Sequence, residues 1–110
     1  MNTIADLSPT APIVENEHAG KQSAVPYRVD LIPAKALLAV AHVLHVGAQK
    51  YTPNNWRKIE RDSHLNHALT HIFAMLSGDK QDDHLEHAAC RIMMALEMHL
   101  SEPQPATKTP

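Results

Sequence analysis

Residues 63–100, SHLNHALTHIFAMLSGDKQDDHLEHAACRIMMALEMHL, decide the fold. Two sets of apolar residues recur there with helical spacing: Leu65, Ala68, Leu69, Ile72 and Leu76, then Leu85, Ala89, Ile92, Leu96 and Leu100. Asp62 or Ser63 can cap the first helix, and Ser77-Gly78 ends it. Asp82 or Asp83 can cap the second. The link between them is short, so the two helices are expected to run antiparallel with those apolar sets as their core stripes. Met93, Met94 and Met98 broaden the apolar surface beyond a narrow stripe, as a contact with another subunit would require.

Upstream, Leu37, Val40, Ala41, Leu44 and Ala48 repeat with the same period, predicting a further helix over residues 34–48 with Pro33 as its first residue. Residues 27–31 read as extended or a short turn. Residues 51–62 form a polar and aromatic connection with at most a helical turn near its end. No strand signal of comparable length and no internal repeat appear, so the expected class is all-α, with three main helices. Three helices leave a bundle incomplete, which pooling helices in a homodimer or homotetramer would remedy; a monomeric three-helix bundle is the alternative. Residues 1–25 lack a sustained period and are expected to be a flexible segment. The helical domain is placed at 26–102, and residues 103–110 at a disordered tail.

The chain has 110 residues, a net charge of −2 with histidines neutral, and an estimated pI of 6.5. That balance argues against direct nucleic-acid binding, which wants a basic face. Nine histidines would turn the net charge positive on mild acidification. The single Cys90 excludes an intrachain disulfide and a cysteine-based zinc cluster. No apolar run approaches membrane-spanning length, and acids stand where a signal peptide would be basic, so a cytoplasmic protein is expected.

Chemistry concentrates in three places. His64, His67 and His71 lie along one side of the second helix, flanking its apolar stripe, and His84 and His87 flank that of the third. Imidazoles at these spacings suit a transition metal, although half-exposed histidines also occupy such positions without one. The turn GDKQDD offers Asp79, Asp82 and Asp83, which suit Mg²⁺ or Mn²⁺ bridging to phosphates, or plain capping, the latter favoured for Asp82. In KYTPNNWRK, Lys50, Arg57 and Lys58 can clamp phosphates, Tyr51 and Trp56 can stack on a base, and Asn55 can read its edge. A surface loop with Trp56 packed on the bundle is the simpler reading.

With these residues in view, residues 27–97 resemble a small, largely bacteriophage family of dATP/dGTP diphosphohydrolases related to the MazG-like all-α pyrophosphohydrolases. The resemblance rests on an ordered set: DLIPAKAL at 30–37, GAQKYTPNNWRK at 47–58, His71 through Gly78-Asp79, and HLEHAAC at 84–90. Thr70 replaces an arginine usual before the histidine of the second helix, Arg91 stands near a usual asparagine, and the loop before HLEHAAC is shortened. The resemblance implies conversion of a purine (d)NTP to (d)NMP and pyrophosphate. By motif position it carries over His71, Asp79, His84 and His87. The resulting expectation has Asp79, His84 and His87 holding a divalent ion, Mg²⁺ or Mn²⁺ first and Co²⁺ or Zn²⁺ admitted by the histidine content. His71 and Asp83 would serve catalysis, and Lys50, Tyr51, Asn55, Trp56, Arg57 and Lys58 would bind the nucleotide. A helical nucleotide-binding or interaction module without chemistry is the alternative, motivated by Thr70 and the shortened loop.

Overall fold

The computed structural model describes residue 4 and residues 6–103. Residues 104–110, most of the tail assigned above, lie outside the described residues. Three helices carry the fold: α1 (Ala34–Lys50), α2 (Arg61–Leu76) and α3 (His84–Leu100). The chain is all-α apart from a two-stranded antiparallel ribbon, β1 (Ile13–Glu15) and β2 (Lys21–Ser23), which pairs Ile13 with Ser23 and Glu15 with Lys21. The ribbon falls in the stretch read as lacking regular structure. Its strands are only three residues long and bury no residue, so no apolar alternation announces them. The turn is held by Asn16, whose Oδ1 accepts from the backbone N–H groups of His18 and Gly20, each at 2.9 Å. The ribbon belongs to one compact unit ending at Ile32, and the helices form another beginning at Pro33.

Pro33 is the cap residue rather than the first helical one: its φ of −63° suits a helix but its ψ of 113° is extended. Helix α1 continues to Lys50 through Gly47. Helix α2 starts at Arg61, ahead of both residues expected to cap it. Asp62 instead accepts from Arg61 Nε at 3.0 Å. Asp83 does occupy the cap position of α3, but its carboxylate bonds no helical N–H.

Helix α2 stops on a Schellman motif. The Asp79 N–H bonds the Ala74 carbonyl and the Gly78 N–H bonds that of Met75, each at 3.0 Å, with Gly78 at φ +91°. This turn aims the acidic loop back along α3. A Cβ at Gly78 would meet nothing within 4 Å, so the cost of substitution is conformational. Gly78→Ala is expected to lower stability by about 1–2 kcal/mol and Gly78→Asn by less, as read by urea unfolding.

Helix α3 is central, packing antiparallel on α2 along its length and on α1 through another flank. The buried side chains of the described helical unit are Val40, His64, Ala68, Ala88, Cys90 and Ala95. The expected core stripes are therefore corrected. Leu69, Leu76, Leu85, Ile92 and Leu96 are exposed, and the α2–α3 seam is built on alanines and histidines. The residues buried between the helices, Ala68, Ala88 and Ala95, have small side chains. His64, expected to flank the core, lies inside it at 0% exposure. No helix of the described residues is long and apolar enough to cross a membrane.

Candidate functional site

The antiparallel seam brings His71, near the end of α2, against His84 and His87 in the first turn of α3. His71 stacks on His87 with ring centroids 5.1 Å apart, and its Nδ1 lies 2.9 Å from His84 Nδ1. His84 Nε2 donates to Asp79 Oδ2 at 2.5 Å. Two amide groups of Gln81, backbone N–H and side-chain Nε2–H, also donate to Asp79. With His84 neutral and its proton on Nε2, its Nδ1 must accept from His71 Nδ1–H. His71 Nε2 is then left with a bare lone pair. A carboxylate and an imidazole thus fix the tautomer of a second imidazole, the arrangement that orients metal-ligating histidines.

Donor atoms of His71, Asp82 and His87 all lie within 4.8 Å of one another. Asp82 Oδ1 is 3.4 Å from His87 Nε2. Two imidazoles and a carboxylate form a mixed nitrogen and oxygen set, suited to a borderline ion such as Mn²⁺, Co²⁺ or Zn²⁺. Mg²⁺, which prefers oxygen and keeps several waters, is served less well. Of the residues singled out in the sequence, His71, His84, His87 and Asp79 come together. Asp79 is the partner of His84, and Asp82, read as a capping carboxylate, stands with His71 and His87. Asp83 is exposed and lines an open depression of about 310 Å³ with Asp79, Asp82 and His84.

Burial, and after it the neighbouring His87, hold the pKa of His71 below the ordinary 6.5. The hydrogen bond from His84 holds Asp79 below the usual carboxylate range. Between the ordinary and the lowered value the unfolded chain binds a proton at His71 that the folded chain refuses. The stability His71 contributes is thus complete above pH 6.5 and lost as pH falls through the lowered pKa. Proton NMR of the metal-free protein is expected to give a His71 midpoint below 6.5; one above it would contradict this environment.

The Lys50–Lys58 segment divides. Residues 55–58 form a single 3-10 turn, entered through Asn54 at φ +65°. Trp56 is half-buried, and the Arg57 guanidinium lies 4.3 Å from its ring centroid. Both line a cavity of about 140 Å³ with Val40, Leu44, Cys90 and Met94. Asn55 is half-buried, whereas Lys50, Tyr51 and Lys58 are exposed, with Lys50 Nζ 5.2 Å from the Tyr51 ring centroid. Asp83, His87, Cys90 and Met94 follow one another at helical spacing, so the cavity continues the flank of α3 that carries His87. His87 and Met94 are two turns apart, about 10 Å.

Sequence reading missed the group that anchors this segment. Arg91 Nη1 donates to His64 Nδ1 at 3.1 Å, so the His64 proton sits on Nε2, which donates to the Trp56 carbonyl at 2.9 Å. Buried His64 thereby ties α2, α3 and the Trp56–Arg57 turn together. No signal within α2 marked it, because its partners come from α3 and from the Trp56 turn.

The fold and the cluster define a small all-α protein with a histidine–aspartate site where two antiparallel helices turn. Residues 16–108 match the model of the family described as dATP/dGTP diphosphohydrolase, N-terminal, and the chain belongs to that family. No curated protein and no solved structure matches the chain.

Proposed function

We propose that the chain is a metal-dependent diphosphohydrolase that converts a purine (d)NTP to (d)NMP and pyrophosphate. The convergence of His71, Asp82 and His87 carries this reading, in a chain belonging to a family whose name denotes that chemistry. These three residues would hold a divalent ion, Mn²⁺ or Co²⁺ in preference to Mg²⁺, which when bound would neutralise phosphate charge and polarise the reacting groups. Asp79 and His84 orient His71. Asp83, in the adjoining depression, takes the proton of the water that attacks the α-phosphorus, and the α–β bridging bond breaks with its electrons leaving on pyrophosphate. Arg57 and Trp56, about 10 Å along α3, meet the nucleoside end, a span a nucleoside triphosphate covers. Lys50 and Lys58 supply mobile positive charge for the phosphates.

The test is to incubate the full chain with each dNTP and Mg²⁺, Mn²⁺ or Co²⁺ and resolve products by anion exchange. Turnover of dATP or dGTP, fastest with Mn²⁺ or Co²⁺, is expected. Nucleotide binding without turnover under every combination would support the non-catalytic module instead. Arg57→Ala is expected to raise KM about tenfold with kcat little changed, because its contact is with bound substrate in both states.

A further inference from the structure

Of the four arginines in the chain, three stand beside a carboxylate. Arg28 bonds Asp30 at 2.8 Å, Arg61 bonds Asp62 at 3.0 Å, and Arg57 lies 4.0 Å from Glu97. Arg91 has no carboxylate within 4.0 Å among the described residues. Its hydrogen bond goes instead to an uncharged imidazole, from Nη1 to His64 Nδ1 at 3.1 Å. Arg91 is half-buried, and no described side-chain nitrogen or oxygen is sealed from solvent without a partner. Its remaining N–H groups therefore open to water. A guanidinium half removed from water and held by an imidazole alone is a cation without its anion.

Its place on the helices says which anion. Arg91 is one turn beyond His87 on α3, about 6 Å, and Met94 of the Trp56–Arg57 cavity is three residues further. Across the seam, His67 stands one turn before His71 on α2. The Arg91 charge, and burial after it, hold the pKa of His67 below 6.5, so the guanidinium lies close to that imidazole and His67 keeps an uncharged N–H. Arg91 thus sits between the histidine–aspartate cluster and the cavity. We propose that Arg91, with His67 beside it, is the phosphate-binding site of the chain, taking non-bridging oxygens of a nucleotide's polyphosphate. With Nη1 fixed on His64, Nε and Nη2 are left to give two parallel N–H groups to two phosphate oxygens. Nε and Nη2 of Arg28 give the same pair to Asp30, at 2.9 and 2.8 Å. Lys50 and Lys58 are exposed ammonium groups and lack such a fork. The choice of a nucleotide rests on the diphosphohydrolase reading; the cation without an anion does not.

Inorganic pyrophosphate is titrated into the metal-free full chain at about pH 8, where imidazoles are uncharged and the guanidinium is not. Calorimetry is expected to show binding, weakened at least about tenfold by Arg91→Gln with the helical circular-dichroism spectrum retained. Arg91→Lys, which keeps the charge but not the paired donors, should lose less. In the wild type, pyrophosphate should shift the imidazole nitrogen resonances of His64 and His67 and leave those of His42 and His45 on α1 in place. That measurement decides the matter if the glutamine variant does not fold. Binding to folded Arg91→Gln as tight as to the wild type, or pyrophosphate that moves neither His64 nor His67, would overturn the site. Turnover of dATP or dGTP together with either result would sink this inference and leave the activity standing. Arg91-dependent pyrophosphate binding without turnover would support the inference and remove the activity.

Discussion

Asp82→Asn is expected to retain the helical circular-dichroism spectrum of the parent while losing dNTP hydrolysis by about 10²–10⁴-fold. The substitution is nearly isosteric, and the Asp82 side chain is about half exposed, so folding has little stake in its charge. Its chemical stake is larger, because the carboxylate supplies the only anionic donor within 4.8 Å of both imidazoles among the described residues. Manganese affinity, followed by electron paramagnetic resonance, should fall along with rate. Asp79→Asn should do less, about 10–100-fold, because Asp79 acts through His84 and His71. A larger loss in Asp79→Asn than in Asp82→Asn would place the ion at Asp79 instead. Full activity in Asp82→Asn would remove the carboxylate from the site.

The second large effect is structural. His64→Ala is expected to destabilise the protein by about 3–5 kcal/mol, enough to unfold much of a domain this small at ambient temperature. Three losses combine: a cavity opens in the seam, the Arg91 guanidinium loses its acceptor, and the Trp56 carbonyl loses its donor. His64→Gln, whose amide can both accept and donate, should recover part of that stability. Trp56 is the only tryptophan, so its fluorescence reports the anchored turn directly. Its emission should shift to longer wavelength in His64→Ala and stay close to wild type in His64→Gln. An unshifted spectrum and unchanged urea midpoint in His64→Ala would contradict the anchoring role.

Helical periodicity located all three helices, since the spacing of apolar residues is a property of each segment alone. Which face each helix buries was not legible in the same pattern. The leucine rows of α2 and α3 have the stronger apolar signal, yet Ala68, Ala88 and Ala95 are among the residues buried there. An apolar row gives a helix its period but does not say which of its faces packs against the same chain. His64 was illegible for a related reason: its burial depends on Arg91 and the Trp56 carbonyl, 27 residues downstream and 8 upstream. Within the site, His84 and His87 were legible as residues three apart on one helix, and His71 as a residue of the helix expected to face them. The division of labour between Asp79 and Asp82 was not, because the Schellman turn at Gly78 decides which carboxylate meets which imidazole. The ribbon of residues 13–23 left no apolar alternation, being held by backbone pairing and the Asn16 side chain.

The most direct test of the central claim is product analysis in oxygen-18 water with dATP or dGTP and Mn²⁺, read by phosphorus NMR and mass spectrometry. The account predicts deoxynucleoside monophosphate carrying one heavy oxygen, with unlabelled pyrophosphate in equal amount. Diphosphate with labelled orthophosphate, or no product at all from a folded metal-loaded protein, would contradict it.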